Sequence, residues 1–236
     1  MKTIDEYLNA EKEFFENIQI KFGKSLLLYC LTGSLARKEI IPEWSDIDIM
    51  LVFDKYDSVM FSQLNNLVED IKRRYLIKVG ITFYSLQEFN SMKFQDPKTY
   101  LAMHFINKGM LVPRIKDAKI IIGNIEDDLL RTVSIAEMTK QLHAMKRDLM
   151  NYSIESEKKI YKCMVTIMKN ILTIKGELPL GYQDAFEKIR KYYSNDFKEI
   201  ILPEDILGDP DKSEERKKYY VNFLNWLNNN NNALLS

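Results

Sequence analysis

Residues 26–53 read LLLYCLTGSLARKEIIPEWSDIDIMLVF, and in this stretch two apolar runs flank a polar connection. The first run ends at Gly33-Ser34, and its short, wholly apolar composition favours a buried strand over a helix. After eleven intervening residues, Asp46-Ile47-Asp48 opens a second run, which predicts a strand over residues 46–53. Pro42 interrupts the connection between the runs. The stretch therefore predicts two successive strands that carry a Gly-Ser turn and two acids at their ends.

The two acids predict a cation site. Asp46 and Asp48 stand two residues apart on one predicted strand, so both side chains are expected on the same side of the sheet. Neighbouring carboxylates repel each other unless a cation lies between them. Mg²⁺ is the natural occupant, because it takes oxygen ligands and shares them with substrate phosphates.

The Gly-Ser turn and the residues that follow it predict a phosphate site. Gly33 permits a close backbone approach that a side chain would block. Ser34 adds a hydroxyl, and the backbone amides of a turn can bind phosphate oxygens. Arg37 and Lys38 lie in the same connection, where their charges would meet a triphosphate. This pattern favours a nucleoside triphosphate as ligand.

Together, Gly33, Ser34, Asp46 and Asp48 resemble the motif of the nucleotidyltransferase superfamily that includes DNA polymerase beta, and the chain is similar to the aminoglycoside nucleotidyltransferases. The resemblance implies transfer of a nucleoside monophosphate, AMP from ATP, to a hydroxyl of a small acceptor such as an aminoglycoside-like antibiotic. It implies that Asp46 and Asp48 are catalytic ligands of Mg²⁺ and that Gly33 and Ser34 hold the β and γ phosphates. We expect the acceptor in a cleft between a mixed domain and a helical domain, because ligand sites favour domain interfaces.

One feature departs from that family, in which a later strand supplies a third carboxylate. The equivalent predicted strand, residues 76–84, contains no acid, and Gly80 or Thr82 stands where the acid is expected. Three interpretations follow: a base comes from the helical part, the reaction needs no dedicated base, or the protein binds nucleotide without turnover. The candidate acids of the helical part, most of them expected to be solvated, are Glu137, Asp148, Glu155 and Glu157.

The rest of the chain predicts an α+β fold, a mixed sheet with flanking helices followed by an all-helical bundle. We expect a nucleotidyltransferase domain over residues 1–124 and a helical, acceptor-binding domain over 125–236. Residues 3–22 predict an amphipathic helix whose apolar stripe includes Leu8, with its acids on the opposite face. The pattern also predicts short strands over 111–115 and 119–122, and a frayed, solvated tail at the five-residue run Asn228–Asn232.

Composition narrows the function classes. The 236 residues include 34 Lys plus Arg and 34 Asp plus Glu, so the formal net charge is zero. This balance argues against non-specific electrostatic binding to nucleic acid or to an anionic membrane. Cys30 and Cys163 are expected as buried thiols of a cytoplasmic protein, and no apolar run reaches the length of a membrane span. The expected partners are a nucleoside triphosphate and a small hydroxylated acceptor. A homodimer and an antitoxin-type transferase acting on a protein or tRNA stay open as alternatives.

Overall fold

The computed structural model describes residues 2–40, 45–91, 97–123, 127–179, 181–193 and 210–235. The chain divides into two compact units, Met1–Ile125 and Glu126–Ser236. The roles that we expect of the two parts, nucleotide transfer and acceptor binding, stay predictions. The helices, in chain order, are α1 (Ile4–Phe22), α2 (Gly33–Ala36), α3 (Ser58–Tyr75), α4 (Leu86–Ser91), α5 (Pro97–Asn107), α6 (Asp127–Met150), α7 (Ile154–Ile174), α8 (Tyr182–Tyr192) and α9 (Ser213–Leu235).

The first unit is built on a four-stranded mixed sheet, which confirms the predicted fold class. Its strands are β1 (Leu26–Thr32), β2 (Ile47–Phe53), β3 (Val79–Ser85) and β4 (Ile115–Lys116), in the order β3-β2-β1-β4. β1 runs antiparallel to β2 and β4, whereas β2 and β3 are parallel. The two apolar runs quoted above therefore form the two central strands, where the sheet is most deeply buried.

Side chains alternate across the sheet, so the register separates two faces. On one face, apolar side chains of β1 and β2 pack against α1 and α3; they include Tyr29, Ile47, Ile49, Leu51 and Phe53. The opposite face carries three rows of aligned residues, which are Leu28–Val52–Tyr84, Cys30–Met50–Thr82 and Thr32–Asp48–Gly80. Phe89 of α4 packs on Tyr84 of this second face, with 6.0 Å between the ring centroids. The hydroxyls of Tyr84 and Thr99 are 2.8 Å apart, which links β3 to α5. The row that contains Asp48 is the one where β1 ends and β2 and β3 begin.

The buried face of α1 differs from the predicted stripe. Leu8 is 45% exposed, whereas the residues that face the sheet are Tyr7, Ala10, Glu11, Phe14, Ile18 and Phe22. Glu11 is fully buried, accepts a hydrogen bond of 3.0 Å from the Tyr29 hydroxyl and pairs with Arg114. Burial raises the pKa of Glu11, while the Arg114 charge and the Tyr29 hydrogen bond offset part of that rise. An acid can occupy this core position because it has a cation and a hydroxyl donor as partners.

The structure corrects the predicted strands in two places. β3 begins at Val79 rather than at Leu76, because Leu76 ends α3 in the left-handed conformation (φ 55°) and donates its N–H to the Lys72 carbonyl. Of the two short strands expected over residues 111–115 and 119–122, the first is replaced by Ile115–Lys116, which pairs with β1, and the second does not form. Residues 117–120 form a turn instead, in which the Ile120 N–H donates to the Asp117 carbonyl at 3.0 Å.

The second unit is helical in its described part, as predicted. α6 and α7 form its most extensive contact, and α7 also packs against α8 and α9. Arg216 of α9 and Glu157 of α7 form a buried ion pair. The predicted frayed tail is wrong, because α9 continues through the asparagine run to Leu235. The buried Trp226 and Leu227 anchor the helix just before the run, and the Asn230 side chain donates to the Trp226 carbonyl at 2.9 Å.

Both cysteines are buried and neither forms a disulfide, as predicted. Burial raises the pKa of the Cys30 thiol to about 12 and that of the Cys163 thiol to about 11. Both side chains therefore stay protonated and act as small apolar core residues. In the part of the chain that the structure describes, no helix combines the length and the apolar character that crossing a bilayer requires.

Candidate active site

The candidate site lies at the end of the sheet where the row Thr32–Asp48–Gly80 crosses three strands. Asp48 is aligned with Thr32 of β1 on one side and with Gly80 of β3 on the other. The Thr32 hydroxyl donates to the Asp48 backbone carbonyl at 3.2 Å, which fixes the end of β1 to the start of β2. The Asp48 side chain is half-buried, so its carboxylate is placed by the sheet and is still reachable from solvent.

Gly33 lies directly against that carboxylate. Its φ is +67°, in the left-handed region that favours glycine. A Cβ at this position would be 2.1 Å from Asp48 Oδ2 and 2.8 Å from the Asp48 Cβ. Both the backbone conformation and the space therefore demand glycine, and the structure brings the Gly-Ser turn and one of the two predicted acids into contact.

Asp46 comes just before β2, since strand pairing begins at Ile47. Asp46 and Asp48 are half-buried, while Ile47 between them is fully buried. This alternation indicates that both carboxylates lie on the side of the chain opposite the core that α1 and α3 cover. The Ile47 N–H donates to the Lys78 carbonyl at 2.9 Å, which continues the β2–β3 pairing to this point.

Tyr7 of α1 holds the backbone that leads into the two acids. Its side chain is buried, and its hydroxyl donates to the Ser45 carbonyl at 3.1 Å. Ser45 is buried and immediately precedes Asp46. Sequence reasoning missed Tyr7, because its partner lies 38 residues further along the chain and no local pattern links the two.

The other predicted phosphate ligands follow Gly33 in and after α2. Ser34 is buried, and its carbonyl accepts the backbone N–H groups of Arg37 at 3.2 Å and Glu39 at 2.9 Å. Arg37 is half-buried and pairs with Glu39, with Nε 3.1 Å from Oε2. Lys38 is exposed and adopts a left-handed conformation, with φ at 59°. The structure thus balances the Arg37 charge locally and presents Lys38 to solvent.

The donor chemistry of the two acids fits one hard divalent cation. Mg²⁺ is held in proteins by one or two carboxylates together with water and substrate phosphates. Asp46 and Asp48 would supply those carboxylates, and the bare Gly33 would let a phosphate approach them. Among the described residues, no group of three or more acid, histidine or cysteine side chains is placed to hold a metal.

The structure also fixes where a third carboxylate would have to stand. Gly80 is aligned with Asp48, whereas Thr82 is aligned with Met50, one row further from the acids. A Cβ built on Gly80 would be 3.3 Å from Asp48 Oδ1. Of the two alternatives that the sequence left open, Gly80 is therefore the position that faces the site.

The candidate acids of the helical part lie in different environments. Glu157 is buried against Arg216. Glu137 is also buried, and it accepts a hydrogen bond of 2.6 Å from the Gln141 amide. Solvation, expected for most of these acids, holds for Glu155, which is exposed, and partly for Asp148, which lies 3.5 Å from Arg147. Glu157 is therefore a structural partner of Arg216, because freeing it would leave a buried cation unpaired.

Comparison with known proteins adds a finding that agrees with this geometry. The model of the family described as nucleotidyltransferase domain matches residues 12–172. The match contains the whole of the site from Thr32 to Gly80, begins after Tyr7, and continues through α6 into α7. No curated protein matches the chain.

Proposed function

The chain belongs to the nucleotidyltransferase domain family, and from this premise we propose that it moves a nucleoside monophosphate, in the first instance AMP from ATP, to a hydroxyl of a small acceptor. An aminoglycoside-like sugar is the first acceptor class to test, since the sequence resembles enzymes that modify such compounds. The reaction forms a bond between the acceptor oxygen and the α-phosphorus and breaks the bond from that phosphorus to the β-phosphate oxygen. Pyrophosphate leaves, and the hydroxyl proton passes to solvent.

A single observation carries the proposal: Gly33 lies against the Asp48 carboxylate with no room for a side chain between them. A protein that used this turn only to connect two strands would not need to keep an acid and a left-handed glycine in contact. In a nucleotide site the same contact is useful, because a phosphate can reach the backbone and a carboxylate-bound cation together.

The residues of the chain have the following proposed roles. Asp46 and Asp48 hold the cation, and Gly33 and Ser34 receive the β and γ phosphates. Lys38 lies exposed in the same connection and adds positive charge near a triphosphate. When bound, Mg²⁺ neutralises phosphate charge and lowers the pKa of an attacking hydroxyl.

Calorimetric titration of ATP in the presence of MgCl₂ tests the binding half of the proposal. We expect Asp46→Asn and Asp48→Asn to abolish Mg²⁺-dependent binding while the thermal unfolding temperature stays near that of the wild type. Asp54→Asn is the matched control, because Asp54 follows the far end of β2 and is exposed. Unchanged affinity in both site variants would place the cation elsewhere and contradict the proposal.

A pyrophosphate-release assay over a panel of hydroxylated acceptors, aminoglycosides among them, tests the transfer half. Release with one acceptor class identifies the substrate. The glycine opposite Asp48 favours a second candidate function, a protein that binds nucleotide without turnover. Tight Mg²⁺-dependent ATP binding without release, and without label transfer from ATP to any protein or RNA of a cell lysate, would support that second function.

A further inference from the structure

The two oxygens of Asp48 lie against two different glycines. Oδ2 faces Gly33, on the side of the Gly-Ser turn, and Oδ1 faces Gly80, on the side of β3. Gly33 has no room for a side chain. Gly80 has more, because its built Cβ would meet Asp48 Oδ1 at 3.3 Å and the Ile47 carbonyl at 4.0 Å.

The backbone does not require glycine at position 80. Gly80 lies within β3 and is absent from the residues with positive φ, which among glycines are Gly33, Gly109 and Gly176. It is also exposed, so a longer side chain could extend into solvent or along the site. Any residue could adopt this backbone, with Asp48 giving way by a few tenths of an ångström. A side chain at position 80 would therefore face Asp48 Oδ1, and glycine supplies none there.

The ligand set at this end of the sheet suits one cation. Asp46 and Asp48 supply two carboxylates, and Mg²⁺ is usually held by one or two carboxylates together with substrate phosphates. A second cation about 3.5–4 Å from the first repels it, and offsetting that repulsion takes anionic ligands from the protein in addition to the phosphates. β3 supplies none, because Gly80 has no side chain and Thr82 is neutral and aligned with Met50.

On the premise of the proposed function, we propose that this site holds a single divalent cation with the nucleotide, and that Gly80 is the position that excludes a second one. Asp48 uses Oδ2 beside the Gly-Ser turn for the cation that accompanies the triphosphate. Its Oδ1 has no carboxylate across from it on β3 with which to share another ion.

Counting bound Mn²⁺ tests the proposal without relying on activity. The full chain is dialysed to equilibrium against Mn²⁺ and α,β-methylene-ATP, a nucleotide that cannot transfer its α-phosphate, and the metal bound per chain is measured by elemental analysis. We expect one Mn²⁺ per chain for the wild type and two for Gly80→Asp. Gly80→Asn, of equal size and without charge, is the matched control and is expected to bind one.

The outcomes separate the inference from the proposed function. Two ions in the wild type would overturn the single-cation site and leave the proposed function standing. No ion and no nucleotide in the wild type would overturn the proposed function itself. A folded Gly80→Asp variant that binds one ion or none, or a Gly80→Asn variant that binds two, would show that the missing carboxylate at position 80 is not what sets the count.

Discussion

Replacing Gly33 by alanine is the most direct perturbation of the site, because it adds one methyl group between the turn and the acid. The new Cβ would lie 2.1 Å from Asp48 Oδ2, 2.8 Å from the Asp48 Cβ and 2.9 Å from its Cγ. Rotation of the Asp48 side chain relieves the first contact and not the second, since the Cβ is fixed to the backbone of β2. Either the turn or the strand must move.

The expected loss of stability in Gly33→Ala has two contributions. An alanine held at φ near +67° costs about 1–2 kcal/mol relative to glycine. Forcing a methyl group into filled space costs about 1–3 kcal/mol more. We expect Gly33→Ala to lower the free energy of unfolding by the sum of both terms. Displacement of the Asp48 carboxylate should also weaken Mg²⁺-dependent ATP binding at least about tenfold, which corresponds to about 1.4 kcal/mol.

Gly109→Ala is the matched control in the same unit. Gly109 also has a left-handed backbone, with φ at +70°, and a Cβ built there meets nothing within 4 Å. Gly109→Ala should lose only the stability that an alanine in the left-handed conformation costs, and its ATP affinity should stay unchanged. Urea unfolding measures both stabilities and calorimetric titration measures both affinities. Equal stability losses and equal ATP affinities in the two variants would refute the packing of Gly33 on Asp48 as the basis of the site.

Three further predictions concern residues around the site and in the two cores. Tyr7→Phe removes the hydrogen bond to the Ser45 carbonyl, so it should cost about 1 kcal/mol of stability. It should also weaken ATP binding more in the presence of Mg²⁺ than in its absence. Equal effects on ATP affinity with and without Mg²⁺ would argue against a positioning role for Tyr7. Burial raises the pKa of Glu11. The folded state therefore keeps the Glu11 carboxyl protonated to a higher pH than the unfolded chain, which releases this proton at about pH 4. The free energy of unfolding of the wild type, relative to that of Glu11→Gln, should therefore fall as the pH rises from about 4 towards neutrality. An increase of this difference with pH in urea unfolding would contradict the raised pKa. Arg216→Met leaves the buried Glu157 unpaired and should cost about 3–5 kcal/mol, while adding Glu157→Met should restore most of it; a double variant as unstable as the single one would show that the charge pair is not the cause.

Much of the fold followed from local patterns. The wholly apolar run before Gly33 and the run after Asp48 became the two central strands, because buried central strands need apolar side chains on both faces. Where patterns were weaker, burial differed from expectation. Leu8 turned outward and Glu11 turned inward, because Arg114 and Tyr29 supply partners that periodicity alone does not show. The asparagine run became part of α9, because the buried Trp226 anchors the helix before it.

For the candidate site, the sequence by itself determined which residues are predicted to carry the chemistry: the Gly-Ser turn, the two acids and the lack of an acid in β3. Residue type and spacing suffice for that, because alternation along a strand is a local property. Only the tertiary structure decided that Gly33 touches Asp48, that Gly80 rather than Thr82 faces it, and that Tyr7 holds the chain at Ser45. These relations depend on the register between strands and on the packing of a distant helix, and long-range packing of this kind leaves no local pattern in a single sequence.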